Sequence, residues 1–320
     1  MTAIRRLIRE NSWISGLLGF LVFLSIFTFI LNPFYQLADV QSLFTSILPL
    51  ALAAVAQTVC VIAGGIDLSI SSQMALTSCV AAVLMAGQSD EFGVLVVIGV
   101  LVLGLVLGAV NGALVVITKV PDIVVTLATS FVFAGMALLV TPRPAGNASN
   151  WLEQAVVGPF FIDLFPKALV LLIVIVAVVW IPLSRSKLGL SLYAVGSNQL
   201  AAFRSGVSVA RVKVISYTIT GFFAALAGLS LAASTGIGTP VPEGTYVLIA
   251  IAAVVLGGVS LAGGVGGVFG PIVAVLVLQL IRNDMTYLRV DPNLGTVAQG
   301  LILIGVLMFA NYIQIRRARA

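Results

Sequence analysis

Continuous apolar runs of membrane-spanning length recur along the whole chain, separated by polar or Gly/Pro punctuation into about ten segments. They fall near residues 13–31, 43–63, 68–86, 93–117, 123–140, 168–183, 214–233, 247–262, 267–287 and 295–314. None alternates apolar and polar residues at every second position, so the pattern predicts transmembrane α-helices rather than the strands of a β-barrel. The third, sixth and eighth segments are short for a bilayer that needs about twenty residues, and are expected to be tilted, half-length or re-entrant. The first run, Trp13 to Leu31, follows MTAIRRLIRE. It exceeds the roughly 7–15 residues of a signal-peptide core and no A-x-A site follows, so it reads as a retained span. The expected fold class is all-α: a polytopic membrane protein, one transmembrane domain over residues 1–320 with an extramembrane insert at 184–213.

Composition narrows the class. Apolar residues make up 60% of the 320 and charged residues 8%, with a mean hydropathy of +1.19. Soluble domains run at about 45–50% apolar and about 25% charged, which excludes an ordinary globular protein. The net charge of +5 does not point to nucleic acid, because the basic residues sit at span edges. With the N-terminus inside, Arg5, Arg6, Arg9, Lys119, Arg185, Lys187, Arg204, Arg211, Lys213, Arg316, Arg317 and Arg319 lie inside. Only Arg143, Lys167, Arg282 and Arg289 lie outside, a positive-inside bias. An even number of spans places both termini on the cytoplasmic side. Histidine is absent, which removes the usual general base and the commonest metal ligand, and no metal site is expected. Cys60 and Cys79 fall within apolar runs, so a disulfide framework is not expected.

Two polar excursions interrupt the membrane rhythm. The outer one, Thr141 to Lys167, is rich in Pro, Gly and Asn. The inner one reads SRSKLGLSLYAVGSNQLAAFRSGVSVARVK, carries Arg185, Lys187, Arg204, Arg211 and Lys213, and holds no acidic residue. The chain has no Walker A motif, so any ATP hydrolysis must occur in a partner, and a basic, helix-compatible insert is the handle such a motor would need. The competing reading is a basic loop drawn to anionic headgroups.

Within the spans, small and polar residues carry the information. Gly104, Gly108 and Gly112 recur every four positions, a double GxxxG stripe expected to pack one helix on another within the subunit or across a dimer seam. Residues 257–267 are rich in glycine but lack the GK[ST] ending of a phosphate loop, and read as a tight turn. In Gly64-Gly65-Ile66-Asp67-Leu68-Ser69-Ile70-Ser71-Ser72-Gln73, a carboxylate meets the membrane. At a span centre it costs about 2.5–3.5 kcal/mol on insertion scales, so Asp67 belongs at an edge or among partners. It is placed to cap a helix starting at Leu68, with gating, a subunit contact and substrate binding as the other roles. Gln57, Asp67, Ser69, Asn111 and Thr126 are the candidates for a translocation path or gate. No ladder of charged residues crosses the membrane, which disfavours a proton- or sodium-coupled carrier and suits a neutral polar solute.

Four blocks complete the reading: AGGIDLSISSQMAL, VNGALVVITKVPDIVVTLAT, GLSLYAVGSNQLAAFRSGVSVARVKVISYTITGFFAALAG and AIAAVVLGGVSLAGGVGGVFGP. In this order, from about Leu50 to the C-terminus, they resemble the ribose/xylose/arabinose/galactoside-type permease family of bacterial ABC sugar importers. The resemblance implies a permease domain that works with a second permease subunit, two cytoplasmic ATPase subunits binding ATP and Mg, and a periplasmic solute-binding protein. It implies no cofactor on this chain and no catalytic residue. It also implies that Gly189, Tyr193, Gly196, Asn198, Ala201, Ala202, Arg204, Ser205, Gly206 and Lys213 belong to the segment that docks into the ATPase. Two departures stand out. Ser71 occupies the second glycine position of GGIDLSVGS, and Tyr246-Val247-Leu248-Ile249-Ala250-Ile251-Ala252-Ala253 lacks both acids of the usual YELDAIAA block. The second departure suits one half of a heterodimeric permease. The alternative function is a self-contained secondary carrier; a membrane enzyme would need a nucleophile–base pair or metal cluster that the sequence does not show.

Overall fold

A computed structural model describes residues 12–161, 165–241 and 246–291 and scattered positions between 294 and 308. The tenth apolar segment, 295–314, and the basic residues of both termini lie largely outside them. Among the described residues the chain is helical, without β-strands beyond two isolated bridges. In chain order the helices are α1 (Ser12–Leu31), α2 (Leu37–Ile62), α3 (Ile70–Met85), α4 (Asp90–Thr118), α5 (Asp122–Val140) and α6 (Asn150–Val156). They continue as α7 (Lys167–Arg185), α8 (Lys187–Ser197), α9 (Gln199–Arg204), α10 (Val209–Thr235), α11 (Tyr246–Leu256) and α12 (Phe269–Tyr287). Seven are long and apolar enough to cross a membrane, and α3 and α11 are shorter apolar helices.

Two of the three segments expected to be short are so, and one is not. α3 covers 16 residues and α11 only 11, because Gly257 ends α11 well before the expected boundary at 262. The sixth segment instead runs 19 residues. Its turn at Val176–Trp180 is widened to the π form just before Pro182, whose missing N–H leaves the Val178 carbonyl without its usual partner. The wider turn absorbs that proline and lets the helix continue to Arg185.

Helices α2 and α10 form the centre. α2 is buried continuously from Ile47 to Ile62, the stretch that is apolar almost all round, while its first ten residues are more polar and more open. α3 and α4 pack on α10, with α5 against α3; on the other flank lie α11, α12 and, beyond α12, α1. Because lipid is as apolar as leucine, these crossings depend on close approach. The GxxxG stripe of α4 lies antiparallel on α10. A methyl at Gly108 would strike the Tyr217 carbonyl, one at Gly112 would come within 2.7 Å of the Val214 Cα, and one at Gly104 would hit Ala225. Gly221 of α10 answers from the other side, where a methyl would strike the Gly104 carbonyl. The stripe is therefore an internal seam.

The up-and-down course gathers the connections at two ends. The junction end holds the 63–69, 119–121, 186–208 and 257–268 segments, with Lys119, Arg185, Lys187, Arg204, Arg211 and Lys213. At the opposite end the 141–166 excursion folds onto the bundle: Ala145 pairs with Gly238 through both backbone bonds, and the Asn147 N–H donates to the Ala82 carbonyl at 2.9 Å.

Candidate functional site

Three glycine-bearing motifs, distant in sequence, meet at the junction end. The carbonyl of Ile62, at the last turn of α2, accepts from the Gly264 N–H at 2.9 Å. Gly196 of α8 lies against both: a methyl there would strike the Ile62 carbonyl and come within 2.6 Å of Gly264 N. A methyl on Gly263 would lie 3.0 Å from the Cα atoms of Gly196 and Gly64. Gly64, Gly263 and Gly264 all have positive φ, of 78°, 88° and 72°, which only glycine adopts freely. The 257–267 segment is thus a turn, as expected, but one built to receive α8. The hydroxyl of Tyr193 reinforces the contact by donating to the Gly266 carbonyl at 2.8 Å. Burial pushes the Tyr193 phenol up, which keeps it a neutral donor.

Beside this junction stands an ion pair. Lys213 Nζ lies 3.2 Å and 3.3 Å from the two carboxylate oxygens of Asp122, and the side chains are only 16% and 15% exposed. The Tyr217 hydroxyl donates to Asp122 Oδ2 at 3.0 Å. Any methyl on Gly65 would sit 2.8 Å from the Tyr217 hydroxyl and 2.9 Å from Asp122 Oδ2, so the 63–69 segment presses directly on the pair. The start of α10, where the extramembrane insert returns to the bundle, is in this way tied to the start of α5 and to the Gly-Gly break.

Above the break lies a closed polar cluster. Asp67 Oδ1 accepts from the Ser69 N–H at 2.8 Å and the Ser69 hydroxyl at 2.6 Å. Ser69 Oγ in turn accepts from Gln73 Nε2 and from Asn111 Nδ2, each at 2.7 Å. Thr126 accepts from the Leu68 N–H at 3.0 Å, which pins the same segment to α5. Asp67, Ser69, Gln73, Asn111 and Thr126 are fully buried. The irregular backbone at 63–69 is tolerated at this depth because protein surrounds it. The capping expectation is corrected in its register: the helix starts at Ile70, Ser69 holds the N-cap position, and Asp67 makes an Asx-type turn one step earlier. Gln57, also fully buried, has no hydrogen-bond partner on either amide atom among the described residues, and does not join the cluster.

The insert divides into two faces. Gly189, Tyr193, Gly196 and Ala202 turn toward the bundle, and Lys213 is engaged by Asp122. Gly189 is held so close that a methyl would strike the Leu183 carbonyl. Ser186 caps α8 by accepting from the Gly189 N–H at 3.1 Å, and Asn198 caps α9 by accepting from the Ala201 N–H at 2.9 Å. The other face is open: Ala201, Arg204, Ser205 and Gly206 are exposed, with Leu190, Leu200 and Phe203 at 59–67% exposure. Gly206, at φ 84°, turns the chain back toward α10.

Sequence reasoning passed over Asp122, Tyr217 and the Thr28–Asp284 pair, where Thr28 Oγ1 donates at 2.7 Å, and read the glycine-rich turn without its contact to Gly196. Asp122 had a signal: it is an acid on the side that otherwise collects the cations, which is where a partner for Lys213 had to be sought.

The fold and this junction define a multi-pass membrane protein whose extramembrane insert is geared into its own bundle. The profile of the family described as "Branched-chain amino acid transport system / permease component" matches residues 40–307, and the chain belongs to that family. It is 30% identical over 313 residues to the ribose import permease protein RbsC of Haemophilus influenzae, covering 97% of this chain and 95% of that one. To RbsC of Bacillus subtilis it is 35% identical over 300 residues, 90% of each chain. To the autoinducer 2 import system permease protein LsrC of Photorhabdus luminescens it is 31% identical over 312 residues, covering 95% and 91%. No solved structure matches.

Proposed function

We propose that the chain is the permease subunit of an ATP-driven importer for a monosaccharide, worked by a separate cytoplasmic ATPase that binds ATP and Mg. The observation that carries this reading is the two-faced insert. One face locks into the bundle through glycine contacts, while the other presents Leu200, Phe203 and Arg204 outward. Apolar and cationic residues alone also suit a headgroup layer; the locked inner face favours a partner protein, because only a partner's motion has to be transmitted to the bundle. Rigid-body motion of α8 and α9 then reaches Gly264 and Ile62 through Gly196, and Asp122 through Lys213. Asp67, Ser69, Asn111 and Thr126 act as the gate moved by that junction rather than as a lining, since all four are fully buried, and Gln57 stands apart from them.

The sugar is inferred from the named relatives. In this reading the chain has about ten spans, both termini and the insert face the cytoplasm, and the protein sits in a bacterial inner membrane. It pairs with a second permease copy or a homologous half, and receives solute from a periplasmic binding protein. Affinity isolation in mild detergent should recover an ATPase, and vesicles holding that complex should accumulate ribose only with ATP. Accumulation driven by an ion gradient without ATP would establish a secondary carrier instead.

A further inference from the structure

At the end opposite the junction, α2, α10 and the start of α11 border an open cavity of about 490 Å³, within the usual range of small-molecule sites. Gln41, Ser42, Thr45 and Ser46 line it from α2, and Ser234 and Thr235 from α10. Positions 41, 42, 45 and 46, with Pro49 one turn on, share one face of α2. This is a polar face on a mostly apolar helix, and among the described residues it stays open at Ser42 and Ser46, which are exposed.

Four of that wall's hydroxyls are engaged in the same sense. Thr45 donates its hydroxyl proton to the Gln41 carbonyl, Ser46 to Leu43, and both Ser234 and Thr235 to Leu231, at 2.8–3.0 Å. Each of these oxygens keeps its lone pairs for something else. Pro49 has no N–H to give the Thr45 carbonyl, which adds a backbone acceptor to the same wall. Among the described lining residues none is charged. With no cation beside these acceptors among the described lining residues, a carboxylate or phosphate would find no counter-charge there. The wall suits a neutral molecule that brings its own O–H donors. Tyr246 supplies an aromatic ring at the rim, and Leu231 and Pro49 an apolar patch, for the C–H face of a sugar ring.

We propose that this cavity holds the solute in transit, and that its ligand is a neutral polyhydroxylated molecule of monosaccharide size whose hydroxyls donate to α2. The proposal rests on the importer reading above. The test uses the whole complex in proteoliposomes with ribose as the probe. Thr45→Val and Ser46→Ala remove acceptors without adding bulk and are expected to cut ribose uptake at least ten-fold in complexes that purify with the wild-type subunit ratio. Ser46→Cys adds a third, exposed cysteine to a chain whose own Cys60 and Cys79 are buried, so a polar thiol reagent applied to that side reports on the cavity alone. Ribose should slow its labelling at least five-fold. Uptake within two-fold of wild type in both variants would overturn the site while leaving the importer reading intact. Efficient Ser46→Cys cross-linking between two permease copies, or labelling indifferent to ribose, would also overturn it, by assigning the face to a subunit contact or to lipid. A wild-type complex that never accumulates a neutral sugar with ATP would overturn both.

Discussion

Removing Asp122 should expose how much the junction depends on one ion pair. At 3.2 Å, and with the effective dielectric of about 20 that suits partly buried sites, the attraction between Lys213 and Asp122 is about 5 kcal/mol before desolvation is charged against it. Taking away one partner of such a pair strands the other, and costs about 3–5 kcal/mol in buried settings. The residual exposure of 16% and 15% places this pair at the lower end. Asp122→Asn and Lys213→Met should each destabilise the protein by about 3 kcal/mol. The double variant should cost about 3 kcal/mol as well rather than about twice that, because no charge is left stranded and what remains is the weakened Tyr217 bond and lost packing. Reversible unfolding of the purified protein in lipid–detergent micelles measures all three. A coupling energy of about 3 kcal/mol supports the pair; one below about 0.5 kcal/mol would show a solvated surface contact and remove the reasoning that ties α10 to the Gly-Gly break. In the assembled complex the same single variants should lower sugar uptake per ATP hydrolysed.

Two further substitutions probe the packing. Gly104→Leu would drive a side chain into Ala225 and the Gly221 carbonyl, and should lower detergent stability by at least 1–3 kcal/mol (about the cost of overpacking) without changing topology; unchanged thermal aggregation would refute the internal seam. Gly196→Ala would strike the Ile62 carbonyl and should uncouple ATP hydrolysis from uptake while the ATPase still co-purifies, whereas normal coupling would show that α8 does not transmit motion.

The helical class was plain from continuous apolar runs, and every expected span before residue 290 corresponds to a helix. Boundaries failed where backbone chemistry overrides hydropathy. Val247 to Ala262 is apolar almost throughout, yet Gly257 and Gly258 end the helix, and hydropathy does not register that a Gly257 methyl would collide with Pro271. The sixth segment looked short because Pro182 and Ser184 read as its end, while a widened turn carries it to Arg185. The site was legible as motifs but not as a place. GGIDLS, LYAVGSN and the glycine-rich turn stand up to about 200 residues apart, and nothing in one-dimensional spacing says that Gly64, Gly196 and Gly263 touch. Nor does a motif distinguish Lys213, which turns inward to Asp122, from Arg204, which faces out.

That division of the insert has an engineering corollary. Leu200, Phe203 and Arg204 face outward, where the proposed motor would dock, and Tyr193 and Gly196 meet the bundle, so in that reading recognition and transmission sit on separate residues of one short stretch. Swapping only the outward positions for those of another permease would hand this channel to a different engine without retuning its gearbox. A lineage could rewire which ATPase serves which sugar by changing three side chains and leaving every glycine in place.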